Sequence, residues 1–155
     1  MSRRYNNRRI NKKFTSSKGD SIASNYFRRQ MEEWRQASLE EHNRRCVISG
    51  EKENLDIHHI NVRFKDILKE AHDNLNIAQH KIITNYSLVD LTLLKQELLR
   101  LHFKYGLGVP LRHDLHKKYH SIYKDEINAA TFHAFANDIR GKINNESEQL
   151  LSKSS

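Results

Sequence analysis

Two histidine clusters carry most of the chemistry this sequence offers. The first is the doublet His58–His59 in "LDIHHIN" (55–61), an apolar, alternating run that reads as a β-strand. Strand alternation sends Asp56 and His58 to one face, and Ile57 and His59 to the other. The second cluster is His116 and His120 in "RHDLHKKYHSIY" (112–123). Four residues apart on a helix, they share a face, and two imidazoles so placed can reach one ion at roughly 2.0–2.1 Å. The chain holds 10 histidines, and in such a chain a lone pair at this spacing is ordinarily a polar, solvent-facing patch. A strand doublet and a helix pair together point to metal binding. Imidazole has a second use, because its unperturbed pKa near 6.5 lets it take a proton near neutrality.

The elements that must position these residues are short. Ser24 is placed to cap a helix whose apolar stripe is Phe27, Met31, Trp34 and Ala37, with Arg28, Arg29, Glu33 and Arg35 opposite. Trp34 reads as a core anchor. "RCVIS" (45–49) reads as a strand, "GEKEN" (50–54) as a turn, and 55–60 as the returning strand. Phe64, Ile67, Leu68 and Ala71 mark a short helix. Leu88, Leu91, Leu94, Leu98, Leu101 and Tyr105 predict a longer one over 88–105. "GLG" (106–108) ends it, and Pro110, the only proline, keeps 109–111 extended. Another helix starts near Asp114, and a last one runs through Phe132, Phe135, Ala136 and Ile139. Residues 143–155 read as a flexible polar tail. The expected class is α+β, a mostly helical body around a small strand unit.

A chain of 155 residues suits one domain. With 37% hydrophobic and 30% charged residues, its core must be lean. There is no apolar run near the roughly 18 residues of a membrane span and no signal-peptide h-region. The single cysteine, Cys46, rules out an internal disulfide and suits a reducing cytoplasm. The net charge of +8 points to a polyanionic partner. Residues 1–20 hold seven Lys or Arg against one acid, a net +6 of that total. Arg3, Arg4, Arg8, Arg9, Lys12 and Lys13 lie in this stretch, which reads as a disordered basic arm for phosphate contact.

Taken in order, the motifs resemble the HNH endonuclease family. "WRQASLEEHNRRCVISG" (34–50) is similar to the family's lead-in, "LDIHHI" (55–60) to its histidine strand, and "VPLRHDLHKKYH" (109–120) to its closing segment. "SIYKDEINAATFHAFANDI" (121–139) resembles the C-terminal helix of phage-borne members. The resemblance covers about 34–139. It implies a ββα-metal unit with a core at 45–60 and 109–123, a helical insert at 62–105, and a nuclease domain spanning 21–142. The long insert between His59 and His116 is similar to that of members from phages and mobile introns, the homing endonucleases among them.

Carried over residue by residue, the resemblance implies that His58, His116 and His120 bind one divalent metal ion, Mg²⁺, Mn²⁺, Ni²⁺ or Zn²⁺. It makes His59 the general base that activates water, and Asp56 an acidic residue that orients the site. The implied activity is hydrolysis of phosphodiester bonds in double-stranded DNA, by a monomer or homodimer, in the cytoplasm of a bacterial or phage-infected cell. Lys117 and Lys118, beside His116, are placed to meet the DNA backbone, and His113 could touch phosphate. His42, His72, His80, His102 and His133 are read as having no chemical role.

The chain departs from the family pattern in three ways. Where members with a structural zinc carry two C-x-x-C pairs, this chain has Cys46, Ser49, Arg112 and Leu115. No structural zinc is therefore expected, and Val47, Ile48 and Leu115 must hold the unit by packing. The family's central Asn falls on Leu107; Gly106 and Gly108 could let the backbone do its work, or Asn61, Asn74 or Asn76 could replace it. Finally, the stretch between His59 and His116 is longer than usual. These departures leave a second reading open, a DNA-binding protein that has the fold and has lost cleavage.

Overall fold

A computed structural model describes residues 22–154. The arm over residues 1–20, with Arg3, Arg4, Arg8, Arg9, Lys12 and Lys13, lies outside the described residues. The helices are α1 (Ala23–Arg29), α2 (Glu32–Glu41), α3 (Phe64–Leu75), α4 (Leu88–Tyr105), α5 (His113–Tyr123) and α6 (Ala129–Lys153). One 3₁₀ turn (Ile83–Asn85) and two strands, β1 (Leu55–His58) and β2 (Val109–Arg112), complete them. The class is α+β and mostly helical. The chain divides into two compact units. One comprises residues up to Glu32 with Ile67–Leu101, the other Glu33–Asp66 with His102–Ser155.

In the first unit, Ile22 bridges to Ile82, and Ala23 N–H donates to the Lys81 carbonyl at 2.8 Å. That backbone bond begins α1, so Ser24 is not the cap; the cap position is Ile22, whose side chain makes no capping bond. Phe27, fully buried, meets Tyr86 and His72 edge-on at 5.6 and 5.9 Å between ring centres. The stripe of α4 forms as expected over this stretch, with Leu91, Leu94, Leu98 and Leu101 buried.

The second unit is built on β1 and β2, which pair antiparallel with Leu55 opposite Arg112 and His58 opposite Val109. α5 follows β2 without a loop. Its Leu115 and Tyr119, four apart, join Cys46, Ile48, Val109, Leu111, Phe132, Phe135, Ala136 and Ile139 in one buried cluster. Each such side chain withdrawn from water contributes about 1.5–3 kcal/mol. The Tyr119 hydroxyl lies 2.7 Å from Thr131 Oγ1. Asn128 and Thr131 cap α6 reciprocally, at 3.0 and 3.2 Å.

Four local expectations are corrected. Residues 45–49 are a turn rather than a strand: Gly50 N–H donates to the Cys46 carbonyl, and Cys46 N–H to that of Glu51. The partner of β1 is therefore β2, from the segment that Pro110 was expected only to keep extended. The first apolar stripe is split between α1 and α2 by a tight turn in which Gln30 and Met31 N–H donate to Phe27 and Arg28 carbonyls. β1 ends at His58, so His59 lies just past the last paired residue. Residues 143–153, expected as flexible, continue α6, with Leu150 and Leu151 exposed.

Candidate metal centre

His58 closes β1 and is 1% exposed. Its ring stacks on Phe132 at 5.3 Å and 26°, and meets Tyr119 edge-on at 4.8 Å. Because α5 turns Leu115 and Tyr119 into the core, the next residue in each case, His116 and His120, stands at the margin beside His58. His116 is half-buried and His120 exposed. The three histidines offer ligand atoms that all lie within 4.8 Å of one another, a cluster that could hold a metal ion. The two clusters read from the sequence are thus brought together.

The condition of His58 fits such an ion. Its Nε2 is buried and has no hydrogen-bond partner among the described residues. An orphaned buried polar atom costs about 1–3 kcal/mol, and native proteins seldom tolerate one without a use for it. Burial, and then the proximity of His116 and His120, push the His58 imidazole down to about 3. It is therefore neutral at ordinary pH, the state a metal ligand requires.

Asp56 sits on the same face of β1, two residues before His58. Its Oδ2 accepts from His116 Nδ1 at 2.9 Å and from His113 Nδ1 at 2.7 Å. Burial pushes the Asp56 carboxyl up, but the bonds from His116 and His113 outweigh it and hold the group below the usual carboxylate range. A proton fixed on His116 Nδ1 leaves Nε2 with its lone pair outward, the arrangement in which a carboxylate orients a ligating imidazole. His116 Nε2 lies 2.9 Å from His120 Nε2. His113, which could touch phosphate, is bonded to Asp56.

His59 faces the other way, as alternation requires. Its ring stacks on Trp34 at 4.6 Å and 22°, and its Nε2 lies 3.0 Å from Nε2 of His102. Trp34 is the buried anchor expected, and its Nε1–H donates to the Gly106 carbonyl at 3.1 Å. Gly108 N–H donates to Ser38 Oγ at 3.0 Å, and Ser38 Oγ–H donates in turn to the Trp34 carbonyl at 2.8 Å. Gly108 has to be glycine, since a Cβ would lie 2.5 Å from an Ile57 methyl and 2.8 Å from the His58 carbonyl.

Among the candidates for the missing Asn, Asn61 has the bond that ties the chain after β1 to the chain before β2. Its Nδ2 donates to the Tyr105 carbonyl at 2.9 Å. Asn74 instead donates to Glu97, and Asn76 occupies a left-handed turn. Leu107 is half-buried. Of the positions matching the family's zinc cysteines, Cys46 Sγ accepts N–H bonds from Ser49 and Arg112, both at 3.4 Å. Arg112 pairs with Glu51 and Asp114, while Leu115 is core.

Lys117 and Lys118 are exposed on α5. His102 is the site residue that sequence reasoning passed over. Its one signal was an imidazole beside Leu98 and Leu101 on a buried helix face. No helix among the described residues is long and apolar enough to cross a membrane. No family model, no characterised protein and no solved structure matches this chain.

Proposed function

We propose that this chain is a metal-dependent endonuclease of the HNH type that hydrolyses phosphodiester bonds in double-stranded DNA. The observation that carries the reading is the division of labour across the doublet. His58, whose buried Nε2 is unpartnered, clusters with His116 and His120, and its neighbour His59 stacks instead on Trp34. His58, His116 and His120 would hold one divalent ion, which supplies Lewis-acid stabilisation of the charge on the phosphate and the leaving oxygen. Asp56 keeps His116 in the ligating tautomer. His59 removes a proton from the attacking water, a role worth about 10²–10⁴ in rate. Lys117, Lys118 and the arm of residues 1–20 supply cations for the DNA phosphates.

The test is incubation of supercoiled plasmid with the protein, with and without Mg²⁺, Mn²⁺, Ni²⁺ or Zn²⁺. Metal-dependent nicking by the wild type, lost about 10²–10⁴-fold in His59→Ala with DNA affinity kept, is the expected result. The second reading, a DNA-binding protein of the same design without cleavage, is favoured by Leu107 standing where the family carries Asn. DNA binding with no nicking under any of the four metals would select it.

A further inference from the structure

The nuclease reading leaves two buried imidazoles unused, His72 and His102, and only the second meets the candidate base. His102, near the end of α4, is 1% exposed, and its Nε2 is 3.0 Å from Nε2 of His59. A hydrogen bond between two neutral imidazoles needs one N–H donor and one lone-pair acceptor. The direction matters to His59, because whichever nitrogen carries the hydrogen leaves the other as the base. If Nε2–H of His59 donates to His102, the lone pair is on Nδ1.

We propose that His102 is a positioning residue for His59. It accepts from Nε2–H and so holds His59 in the tautomer whose Nδ1 takes the proton of the attacking water. Trp34 contributes the second restraint. Its indole lies against the His59 ring at 4.6 Å and 22° and is itself tied by Nε1–H to the Gly106 carbonyl. The stack sets the plane of the ring, and the bond to His102 sets its rotation within that plane. His59 follows the last paired residue of β1, so the strand ladder does not fix its orientation; these two contacts restrain it, with the Phe64 ring edge-on at 5.9 Å. The role rests on the nuclease reading, but the bond direction is measurable without it.

The first measurement is a long-range proton–nitrogen NMR correlation of the wild-type protein, which reports the tautomer of His59. The Nε2–H tautomer is expected; the Nδ1–H tautomer would overturn the proposal. The second compares plasmid cleavage by His102→Leu and His102→Gln, with thermal melts alongside. Gln keeps an acceptor oxygen near the place of Nε2; Leu does not. In His102→Leu kcat should fall about 10²-fold with KM unchanged, the usual cost of a misplaced catalytic group. His102→Gln should recover most of the loss. Equal kcat in both variants, or wild-type kcat in His102→Leu, would overturn the positioning role and leave the nuclease reading standing. If His102→Leu fails to fold, His102→Gln alone decides: near-wild-type kcat with His59 still in the Nε2–H form supports the role, and loss of either refutes it. No cleavage by the wild type overturns the nuclease reading, and this role with it.

Discussion

His72 and His58 are equally buried, at 2% and 1% exposure, yet they are different kinds of residue. His72, in the first unit, has both nitrogens engaged: Nδ1 lies 2.7 Å from the Leu68 carbonyl and Nε2 lies 2.8 Å from the Tyr86 hydroxyl. Phe27 and Tyr86 close around its ring. His58, in the second unit, is packed as closely by aromatics but has an unpartnered Nε2 and lies in a cluster with two further histidines. Burial alone does not separate His72 from His58. The hydrogen-bond count does.

Replacing each by leucine should sharpen the contrast most. His72→Leu leaves the Tyr86 hydroxyl without its ring partner and should destabilise the apo protein by about 1–3 kcal/mol. His58→Leu removes an orphaned polar atom from an apolar setting and should leave apo stability unchanged or raise it by a similar amount, while abolishing high-affinity metal binding. Thermal or urea melts in chelator measure both. Parallel destabilisation by the two changes would erase the distinction.

A smaller effect is expected from the carboxylate behind the cluster. Asp56→Asn keeps the size of the side chain but weakens its hold on His116. Metal affinity should drop about 10–100-fold, as for other outer partners of ligating histidines. Titration of the variant with Ni²⁺ or Zn²⁺ reads this directly, and unchanged affinity would make the Asp56–His116 bond incidental.

The effect expected in pH dependence is the most gradual, small per pH unit and spread over several units. In the folded chain the His58 imidazole is pushed down to about 3, against about 6.5 in an unfolded chain. Below 6.5 the unfolded state therefore binds a proton that the folded state refuses. This contribution to stability is present in full above about 6.5 and is lost as pH falls from there toward 3. Its slope is at most about 1.4 kcal/mol per pH unit. Acid melts of apo wild type and His58→Leu should differ by that slope, the variant being flatter; identical profiles would mean His58 does not titrate abnormally.

What the sequence revealed tracks how local the cause was. The α4 stripe is self-contained, and the doublet's opposed faces follow from strand alternation, so both were legible. The partner of β1 was not, because Val109 lies 51 residues beyond His58 and nothing local in "RCVIS" says that Cys46 bonds to Gly50 and Glu51 instead. The break at Gln30–Met31 is likewise invisible to apolar spacing, which continues through it to Trp34. Of the candidate site, the three histidines that come together could be named from the sequence. His102 could not, since a histidine on a buried helix face looks the same whether it meets a carbonyl or another imidazole. His72 and His102 both stand on such faces, and only tertiary contacts tell them apart.

The claim on which the rest depends is that His58, His116 and His120 share one ion. Calorimetric titration of Ni²⁺ or Zn²⁺ into the wild type and the three single alanine variants tests it most directly. One ion per chain is expected, with affinity lowered by a large and similar factor in His58→Ala, His116→Ala and His120→Ala, because each removes one of three protein ligands. Wild-type affinity in His58→Ala, with loss confined to the two α5 variants, would mean that the strand histidine and the helix pair hold no common metal, and the claim would fall.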